Sequence, residues 1–499
     1  MINTRVRSFA FTGIEAIPVW VEVQIANGLP AFLIVGLPDK AVGEARERVR
    51  AAFTSMGLAL PPKRILINLV PADLLKEGSH FDLPIALAVL AAMEVVPIEE
   101  LSRYAALGEL SLDGRINRVP NVISASLAAN GLELGLICPA VQGSEALFGS
   151  PGDILAAPDL LSLVSHFRGE QVLSPPVFPD HVQTAAAIGP DMADVKGMDV
   201  ARRGLEIAAA GGHSILMSGP PGSGKSMLAS RLPGLLPNLT KMEALEVTRI
   251  YSAAGILTED EGLILRPSFR DPHHSASQPA LVGGGAKARP GEISLAHRGI
   301  LFLDELPEFS RQALESLRQP LETGQTSIAR AAAHVTYPAR FQLVAAMNPC
   351  RCGYLGDASR ECRKAPRCGE DYLNRISGPL LDRIDLWLSM QPLSPVDMMT
   401  APPGEPSASI AARVAEARAF QEKRGQTVRN AEANPNQFEL EPDARTLLAD
   451  AARKLRLSAR GFTRLLRVAR TIADLDRSET VQKNHIAEAV SFRHRNHSH

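Results

Sequence analysis

The pattern of apolar and polar residues predicts alternating strands and helices along the first third of the chain. Residues 19–25 alternate between the two classes, which is typical of a half-buried strand, and the apolar run at 32–35 predicts its partner. Residues 39–52 carry the charged, amphipathic pattern of a helix. A further strand and helix follow at 64–70 and 81–93. We therefore expect an α/β domain without internal repeats.

Two proline-rich stretches predict the domain boundaries. Residues 171–183 include Pro175, Pro176 and Pro179, and a second such stretch spans residues 392–406. Because proline resists both helix and sheet, each stretch is expected to be a linker. Helical periodicity beyond the second linker predicts an α-helical domain. The expected units are a first α/β domain, a central α/β domain and a C-terminal helical domain, at residues 1–170, 184–395 and 408–499.

Composition narrows the classes of function. The 499 residues carry a net charge of −1, which gives no global reason to bind an anionic partner. A nucleic-acid site would have to be a local concentration of Lys and Arg. The start of the chain lacks the apolar core of a signal peptide, and no window reaches about 18 uninterrupted apolar residues. A cytoplasmic protein that does not span a membrane is expected.

The strongest chemical signal is a glycine-rich loop between an apolar run at 215–217 and a second at 227–229. Its sequence fits the pattern G-x-x-x-x-G-K-[ST], in which backbone N–H groups face phosphate oxygens and the lysine reaches the β- and γ-phosphates. The helix that starts there adds its positive dipole end. The predicted ATP-binding residues are Gly219, Pro220, Pro221, Gly222, Ser223, Gly224, Lys225 and Ser226.

An apolar strand that ends in two acids supplies the remaining groups for hydrolysis. Residues 300–303 are apolar and are followed by Asp304 and Glu305. Asp304 and the Ser226 hydroxyl are expected to hold Mg²⁺, and Glu305 is expected to polarise the attacking water. The order of the two motifs along the chain predicts a Mg²⁺-dependent ATPase.

Two further polar residues fit roles in ATP hydrolysis. Asn348 follows the apolar strand at 341–347, where it can orient the lytic water, although an Asn before Pro349 also favours a simple turn. Arg383 precedes another strand and can reach the γ-phosphate bound by a neighbouring subunit. That role requires a ring of subunits. The alternative is a surface ion pair with Asp382 or Asp385.

Several stretches of the central domain resemble the magnesium-chelatase-like branch of the AAA+ ATPases. They are 291–297 (GEISLAH), 301–309, 348–350 (NPC) and 377–385. With the first domain and a cysteine cluster described below, the chain is similar almost end to end to the YifB/ComM family. The resemblance implies a central AAA+ P-loop domain and a homo-hexameric ring. For ComM it also implies an ATP-driven DNA helicase that promotes branch migration during integration of transforming DNA.

The first domain resembles the proteolytic domain of Lon proteases. Residues 76–80 (KEGSH) resemble the stretch that carries the Lon nucleophile, and 108–114 (GELSLDG) resemble the strand before the Lon lysine. The register places His80 at the nucleophile position and Ile123 at the position of the base. Because an amine must take the serine proton, we expect a Lon-like fold without peptidase activity. Ser79 is one residue out of register.

A glycine-rich segment between the two ATPase motifs is a candidate for contact with DNA. Residues 283–290 read GGGAKARP, and in a ring Lys287 and Arg289 would meet phosphates in the pore. An ordinary surface loop is the alternative. The preceding pair His273-His274 fits local hydrogen bonding better than metal binding, since adjacent side chains diverge.

Four cysteines form an insertion within residues 350–368. Cys350, Cys352, Cys362 and Cys368 are spaced C-x-C-x9-C-x5-C, and four thiolates can bind one tetrahedral zinc ion. Loop or buried thiols without metal are the alternative. Family members often have proline where this chain has Arg351, which changes the turn between the first two cysteines.

The C-terminal domain contains a markedly basic segment at residues 451–473. A helix is expected to begin near Ser458 and to place Arg460 in its first turn as a sensor-2 group that faces the nucleotide. Arg464, one turn further on, is the alternate candidate. By the family resemblance this domain is the α-helical lid.

Two rival functions remain from the sequence. The first is a motor subunit that remodels a partner protein, as the magnesium-chelatase motor does. The second is an ATP-dependent protease, which His80 and Ile123 disfavour.

Overall fold

The computed structural model describes residues 4–150, 152–178, 189–258, 262–285, 288–329, 334–355, 362, 364–392 and 399–493. The predicted elements of the first domain are present: the strand at 19–25 lies within Glu15–Ala26, and the helix at 39–52 is Lys40–Ser55. Residues 171–178 of the predicted first linker form neither helix nor strand, and residues 179–183 lie outside the described part.

The first domain is a sheet of seven strands covered by helices on both faces. Its strands are β1 (Thr4–Thr12), β2 (Glu15–Ala26), β3 (Ala31–Val35), β4 (Arg64–Val70), β5 (Tyr104–Ala106), β6 (Glu109–Leu110), β7 (Ile116–Asn117), β8 (Gly135–Pro139) and β9 (Ile154–Ala157). Its helices are α1 (Lys40–Ser55), α2 (Asp82–Ala92), α3 (Ile98–Leu101), α4 (Val122–Gly131), α5 (Gly143–Gly149) and α6 (Leu160–Phe167). The sheet order is β3-β4-β2-β1-β5-β8-β9, and β6 and β7 form a separate hairpin.

Local chemistry explains why these helices form where they do. Asp39 caps α1 by accepting a hydrogen bond of 2.7 Å from the Val42 backbone N–H. The apolar residues of α1 face the sheet at helical spacing, whereas α2 is buried on all sides, which suits an apolar central helix. The one carboxylate in α2, Asp82, is paired with Arg48 by two hydrogen bonds of 2.6 and 2.9 Å.

The central domain contains a five-stranded sheet. The strands of the domain, in this sheet and in two hairpins, are β10 (Ile215–Ser218), β11 (Phe269–Arg270), β12 (Gly283–Gly284), β13 (Arg289–Pro290), β14 (Ile300–Leu303), β15 (Gln325–Ala329), β16 (His334–Pro338), β17 (Gln342–Met347) and β18 (Leu386–Ser389). The helices are α7 (Asp199–Gly211), α8 (Lys225–Ala229), α9 (Lys241–Ala254), α10 (Gln278–Val282), α11 (Glu292–Leu295), α12 (Arg311–Ser316), α13 (Arg318–Thr323), α14 (Arg367–Leu373) and α15 (Gly378–Leu381). The sheet order is β11-β14-β17-β10-β18, all parallel, and two hairpins, β12–β13 and β15–β16, stand apart from it.

The C-terminal domain is helical, as predicted. Its helices are α16 (Ser407–Lys423), α17 (Pro442–Lys454), α18 (Ala459–Leu475) and α19 (Lys483–Ser491). These helices share one hydrophobic core with α7 and β10 of the central domain. None of the described helices combines the length and apolar composition that crossing a lipid bilayer requires.

The end of α9 attaches the central domain to the first domain. Arg249 donates a hydrogen bond of 2.8 Å to the Ile14 carbonyl, and Ser252 donates to the Glu145 carboxylate. Both hairpins of the central domain also meet the first domain, because Ala288 and Tyr337 share an apolar cluster with Ile14. The first domain is therefore attached to the central domain by hydrogen bonds and by apolar packing.

Candidate active site

The parallel sheet brings the predicted ATPase residues to one edge. Strand β14 pairs with β17, and β17 pairs with β10. The residues that follow these three strands are Asp304, Asn348 and Gly219. Since the carboxyl ends of parallel strands meet at the same edge of a sheet, the three residues lie side by side, where open α/β sheets bind their ligands.

The loop after β10 has the backbone of a phosphate cradle. Gly222 and Gly224 adopt φ angles of 78° and 82°, in the left-handed region that glycine tolerates without strain. The Ser223 hydroxyl is buried and has no hydrogen-bond partner among the described residues. The Ser223 hydroxyl lies under the loop against Gly219, where a side chain at position 219 would meet it, so Gly219 is needed for this packing.

Lys225 is folded back onto its own loop. Its Nζ donates hydrogen bonds of 2.7 and 3.0 Å to the carbonyls of Gly219 and Pro220, and one of 3.2 Å to Asn348 Oδ1. Burial lowers the pKa of Lys225, and the charges of Asp304 and Glu305 oppose that shift. A bound triphosphate would offer this ammonium stronger acceptors than the two carbonyls.

The predicted magnesium ligands are in direct contact. The Ser226 hydroxyl donates a hydrogen bond of 2.8 Å to Asp304 Oδ2. Hydroxyl and carboxylate oxygens are the hard ligands that Mg²⁺ prefers, so the pair fits the ion. Asp271, which follows β11, is a further nearby carboxylate: its pKa is raised by burial and by the charge of Asp304. Asp271 was not among the residues predicted from the sequence, because the two-residue strand β11 that precedes it is too short to give a clear pattern.

Glu305 adopts a left-handed backbone with φ of 51°, which is uncommon for a residue with a side chain and recurs at functional sites. Its carboxylate lies 3.3 Å from His274 Nδ1. His273, by contrast, is bonded to the Ser275 hydroxyl at 2.8 Å. Local hydrogen bonding was the expected role of the two histidines, but the contact of His274 with the candidate base was missed.

The candidate arginines lie together in a cavity of about 600 Å³. Arg383 is buried and donates to the Glu322 carboxylate and to the Pro379 carbonyl. Arg460, in the first turn of α18 as predicted, lies 3.5 Å from the same Glu322 carboxylate. Asp382 and Asp385, the alternative partners expected for Arg383, do not form the ion pair, which is made with Glu322 instead. The described residues that line this cavity include none of residues 219–226.

Arg464 is fixed by a buried carboxylate. It donates a hydrogen bond of 2.7 Å to Asp385 Oδ1, while Asp385 Oδ2 accepts one of 3.1 Å from the Ser214 backbone N–H. Burial opposes ionisation of Asp385, but the hydrogen bond from His213 and the charge of Arg464 lower its pKa. Asp385 thus joins an arginine of the C-terminal helical domain to Ser214, the residue that precedes β10.

The structure brings the cysteines of the insertion together in pairs. Cys350 Sγ and Cys352 Sγ are 3.1 Å apart. The Cys362 thiol is hydrogen bonded to Cys352 and Cys368. The hydrogen bond from the Lys364 backbone N–H is the main cause that lowers the pKa of Cys362, and the two cysteines lower it further. Residues 356–361 and 363 lie outside the described part. Within that part, no group of three or more His, Cys, Asp or Glu side chains has the arrangement of a metal site.

The predicted DNA-contacting residues are only partly described. Lys287 lies outside the described residues. Arg289 is exposed on β13 and lines a cavity of about 280 Å³ between the first and central domains. Ser79 and Arg118 of the first domain line the same cavity.

The cleft of the first domain contains the residues that the register predicts, and His80 and Ile123 are buried there. His80 is buried, with Nε2 2.8 Å from the Phe9 carbonyl and its ring against Phe11. Ile123 is completely buried. Ser79 donates to the Glu109 carboxylate and not to an amine.

Sequence comparison matches nearly the whole chain. Families described as magnesium chelatase subunit ChlI, subunit ChlI of Mg-chelatase and the ChlI C-terminal part match residues 191–398, 21–142 and 404–493. The chain is 46% identical over 500 residues to YifB of Escherichia coli K12, covering 99% of this chain and 96% of that protein. It is 44% identical over 502 residues to competence protein ComM of Haemophilus influenzae, covering 98% and 97%. A shorter match of 27% over 163 residues joins 31% of this chain to 23% of the magnesium-chelatase 67 kDa subunit of Chlorobaculum parvum.

Proposed function

Because this chain belongs to the YifB/ComM family of magnesium-chelatase-like AAA ATPases, we propose that it is a ring-forming motor that uses ATP hydrolysis to move DNA. One observation carries this proposal. The phosphate loop, Asp304 and Asn348 meet at one edge of the sheet, whereas Arg383 and Arg460 line a separate cavity of the same subunit. Two copies would together supply a complete hydrolysis site.

The first half of the site binds and prepares ATP. Residues 219–226 cradle the phosphates, Ser226 and Asp304 hold Mg²⁺, and Glu305 activates water. Asn348 contacts Lys225 at 3.2 Å, so it is close enough to the phosphates to orient that water.

The second half comes from the neighbouring subunit. Arg383 and Arg460 converge on Glu322, and an arriving γ-phosphate would compete with that carboxylate for both guanidinium groups. Arginines supplied in this way stabilise the charge of the transition state. Arg460, expected from the sequence to face the nucleotide, contacts the nucleotide of the neighbouring subunit in this proposal. Arg464, which is hydrogen bonded to Asp385, holds the start of α18 in place beside it.

A mixing experiment tests the shared site. Lys225→Ala and Arg383→Ala should each abolish ATPase activity, and mixing the two variants should restore part of it, since some interfaces then pair an intact loop with an intact arginine. The matched control mixes Lys225→Ala with Glu305→Gln. That mixture should stay inactive, because both defects lie in the half that a single subunit supplies. Failure of the first mixture to recover would argue against a shared site.

DNA is the proposed object of movement. A relative that is 44% identical over 98% of this chain is named competence protein ComM. Arg289 is exposed on a hairpin beside the first domain. A hexameric helicase that promotes branch migration during integration of transforming DNA, a form of homologous recombination, is the specific activity proposed.

Stimulation of ATPase activity separates this function from its rival. Branched or single-stranded DNA should raise the rate, and an unfolded protein should not. Stimulation by protein alone would favour a remodelling motor of the magnesium-chelatase type. The match to the 67 kDa subunit of magnesium chelatase is the reason for testing this alternative. Arg289→Ala should weaken DNA binding and flatten its salt dependence.

We further propose that the insertion binds zinc. Cys350 and Cys352 are in contact, and Cys362 reaches both Cys352 and Cys368, so the four sulfurs form one connected group. Four thiolates suit a closed, tetrahedral structural site. Metal analysis of the purified protein should find about one zinc ion per chain. Cys362→Ser should lower that content, and protein without zinc would dismiss the site.

A further inference from the structure

The large sheet of the first domain has one buried face and one face that is partly open. On the buried face, α1 and α2 pack on the strands, and Val21, Ile67 and Leu69 are completely buried. On the other face, α4 and α5 pack on β8 and β9. Towards the opposite edge of that face the strands are accessible, since Leu33 and Val35 of β3 are 39% and 42% exposed.

The strand register identifies the side chains of this accessible part. Residues that pair across neighbouring strands lie on the same face of a sheet. Arg7, Trp20 and Val70 therefore form one row across β1, β2 and β4. The next rows are Arg5 with Glu22, Asn68 and Val35, then Gln24 with Leu66 and Leu33, then Ala26 with Arg64 and Ala31. We call these four rows the open face.

A stack of guanidinium groups on an indole ring lies in the first two rows. The guanidinium carbon of Arg7 lies 3.5 Å from the centre of the Trp20 ring, and that of Arg5 lies 4.4 Å from it. Nucleic-acid bases stack on aromatic rings and on guanidinium planes. Because Trp20 and Arg7 are only half-buried, their stack offers a platform on which a further flat ring can lie.

The arginines of this stack lack acidic partners. In the part of the chain that the structure describes, no carboxylate lies within ion-pair distance of Arg5 or Arg7. Burial and the charge of Arg5 both lower the pKa of Arg7. Glu22, the one carboxylate of the open face, accepts a hydrogen bond of 3.1 Å from Asn68. With three arginines against one carboxylate, the open face carries positive charge that an anionic ligand would offset.

Single-stranded DNA has both groups that suit this face. Its phosphates can meet the arginines, and its unpaired bases can stack on the platform. Duplex DNA has the phosphates, but the flat faces of its bases are hidden in the stack. The combination of aromatic and cationic side chains therefore favours a single strand.

We propose that the open face binds single-stranded DNA, with a base stacked on Trp20 and Arg7 and with backbone phosphates against Arg5 and Arg7. This inference rests on DNA as the proposed object of movement. It adds a DNA site on the first domain, away from the hairpin that bears Arg289. Because the open face belongs to the first domain, binding there requires no nucleotide in the ATP site.

Intrinsic fluorescence tests the inference, because the chain has two tryptophans, Trp20 and Trp387. In a Trp387→Phe variant of the full chain, Trp20 is the only reporter. Adding oligo(dT) without ATP should quench its emission, since a stacked base contacts the indole, whereas a duplex of equal length should leave the emission unchanged. Unchanged emission when the anisotropy of a labelled oligo(dT) shows saturated binding would overturn the inference, as would equal quenching by the duplex.

Affinities from the anisotropy assay give a second test. Trp20→Ala should raise the Kd for oligo(dT) about 5- to 100-fold, the range for loss of one stacked base. Trp20→Phe, which keeps an aromatic ring, should stay within about two-fold of the wild type. Arg7→Ala should also raise the Kd and should reduce the salt dependence of binding by the share of about one phosphate contact.

The matched control is Arg103→Ala. Arg103 is exposed in the same domain and is paired with Glu100 at 3.2 Å, so its loss should leave the Kd unchanged. The ATPase activity of Trp20→Ala without DNA should equal that of the wild type, which shows that the variant is folded. A Kd for Trp20→Ala that matches the Arg103→Ala value would overturn the inference.

Two other results have separate meanings. If Trp20→Ala lowers the molar mass of the assembly in light scattering and leaves the Kd for oligo(dT) unchanged, the open face binds another copy of the chain and the inference is wrong. A wild-type chain that binds no single-stranded DNA would instead reject DNA as the object of movement. When the wild type binds oligo(dT), the Trp20 variants decide the inference alone.

Discussion

The cleft of the first domain and the ATP site of the central domain contain similar side chains in different surroundings. Each has a serine close to a carboxylate: Ser79 with Glu109, and Ser226 with Asp304. At the ATP site the Lys225 ammonium donates a hydrogen bond to Asn348, which follows the strand beside that of Asp304. In the first domain the corresponding catalytic positions hold a buried histidine and a buried isoleucine.

The difference lies in whether a ligand can replace the present hydrogen-bond partners of these polar side chains. Lys225 and Ser226 are bonded to loop carbonyls and to a carboxylate that a triphosphate and Mg²⁺ can replace. His80 is bonded to the Phe9 carbonyl and packed against Phe11, so a ligand would gain nothing by displacing it. Similar residue types therefore have replaceable partners in the candidate ATP site, whereas in the first domain the histidine is bonded to the backbone and packed against an aromatic ring.

Removing one carboxylate from each region should give the largest contrast. Glu305→Gln should lower the ATPase kcat about 10²–10⁴-fold, the range for loss of a general base, while ATP binding is retained. Glu109→Gln, the matched change in the first domain, should leave kcat unchanged because Glu109 accepts its hydrogen bond from Ser79 of its own cleft and contacts none of the candidate ATP-site residues that the structure describes. ATPase assays and nucleotide titration measure both variants. Equal losses in the two would mean that the first-domain cleft takes part in hydrolysis.

The convergence of the candidate ATP-site residues was predictable from the sequence because each motif follows a strand of the same parallel sheet. Residues 219–226, Asp304 and Asn348 needed only the strand-to-loop pattern and the rule that carboxyl ends meet. Most elements of the fold were predictable for the same reason, since apolar periodicity reports burial directly.

Contacts between segments far apart in the sequence were not predictable. Glu322 has no motif around it, yet it joins Arg383 to Arg460. His274 was recognised only as one of a pair, because nothing in the sequence shows that β11 lies beside β14. Such contacts depend on the order of strands in the sheet and on how the C-terminal helices pack against the central domain, which local periodicity does not encode.

An attempt to rebuild the protease dyad should fail through loss of stability. Ile123 is completely buried, so Ile123→Lys would place an unpaired ammonium in an apolar core, at a cost of about 3 kcal/mol or more. Ile123→Val, which only removes a methylene group, should cost about 0.5–1.5 kcal/mol. Thermal denaturation of the full chain measures the difference. A stable His80→Ser, Ile123→Lys double variant that reacts with a serine-directed phosphonate would show that the cleft can still become a peptidase site.

The junction between the two regions should respond to pH by a smaller amount. Burial raises the pKa of Glu145 above its ordinary value of 4.5, although Ser252, Gln142 and Arg118 oppose the shift. A carboxyl with a raised pKa binds its proton more tightly in the folded state, so stability falls as pH rises from about 4.5 through that pKa.

Glu145→Gln should remove this part of the pH dependence and change the free energy of unfolding by about 1 kcal/mol, as expected for one altered hydrogen bond. Melting temperatures measured across the pH window give the slope. Glu99→Gln, at an exposed position of the same domain, should keep the wild-type slope. An unaltered slope in Glu145→Gln would mean that the junction does not carry the effect.

The smallest effect is expected at Ser79, the residue that most resembles a surviving nucleophile. Its hydroxyl donates to Glu109, and Lys76, the lysine nearest in sequence, is buried with its ammonium on the Pro71 carbonyl. Because its hydroxyl donates to a carboxylate and to no amine in the part of the chain that the structure describes, Ser79 should not react with a serine-directed phosphonate. Ser79→Ala should therefore leave ATPase activity, DNA stimulation and labelling unchanged. Labelling that disappears in Ser79→Ala would reveal an activated serine and would remove the main contrast between the two regions.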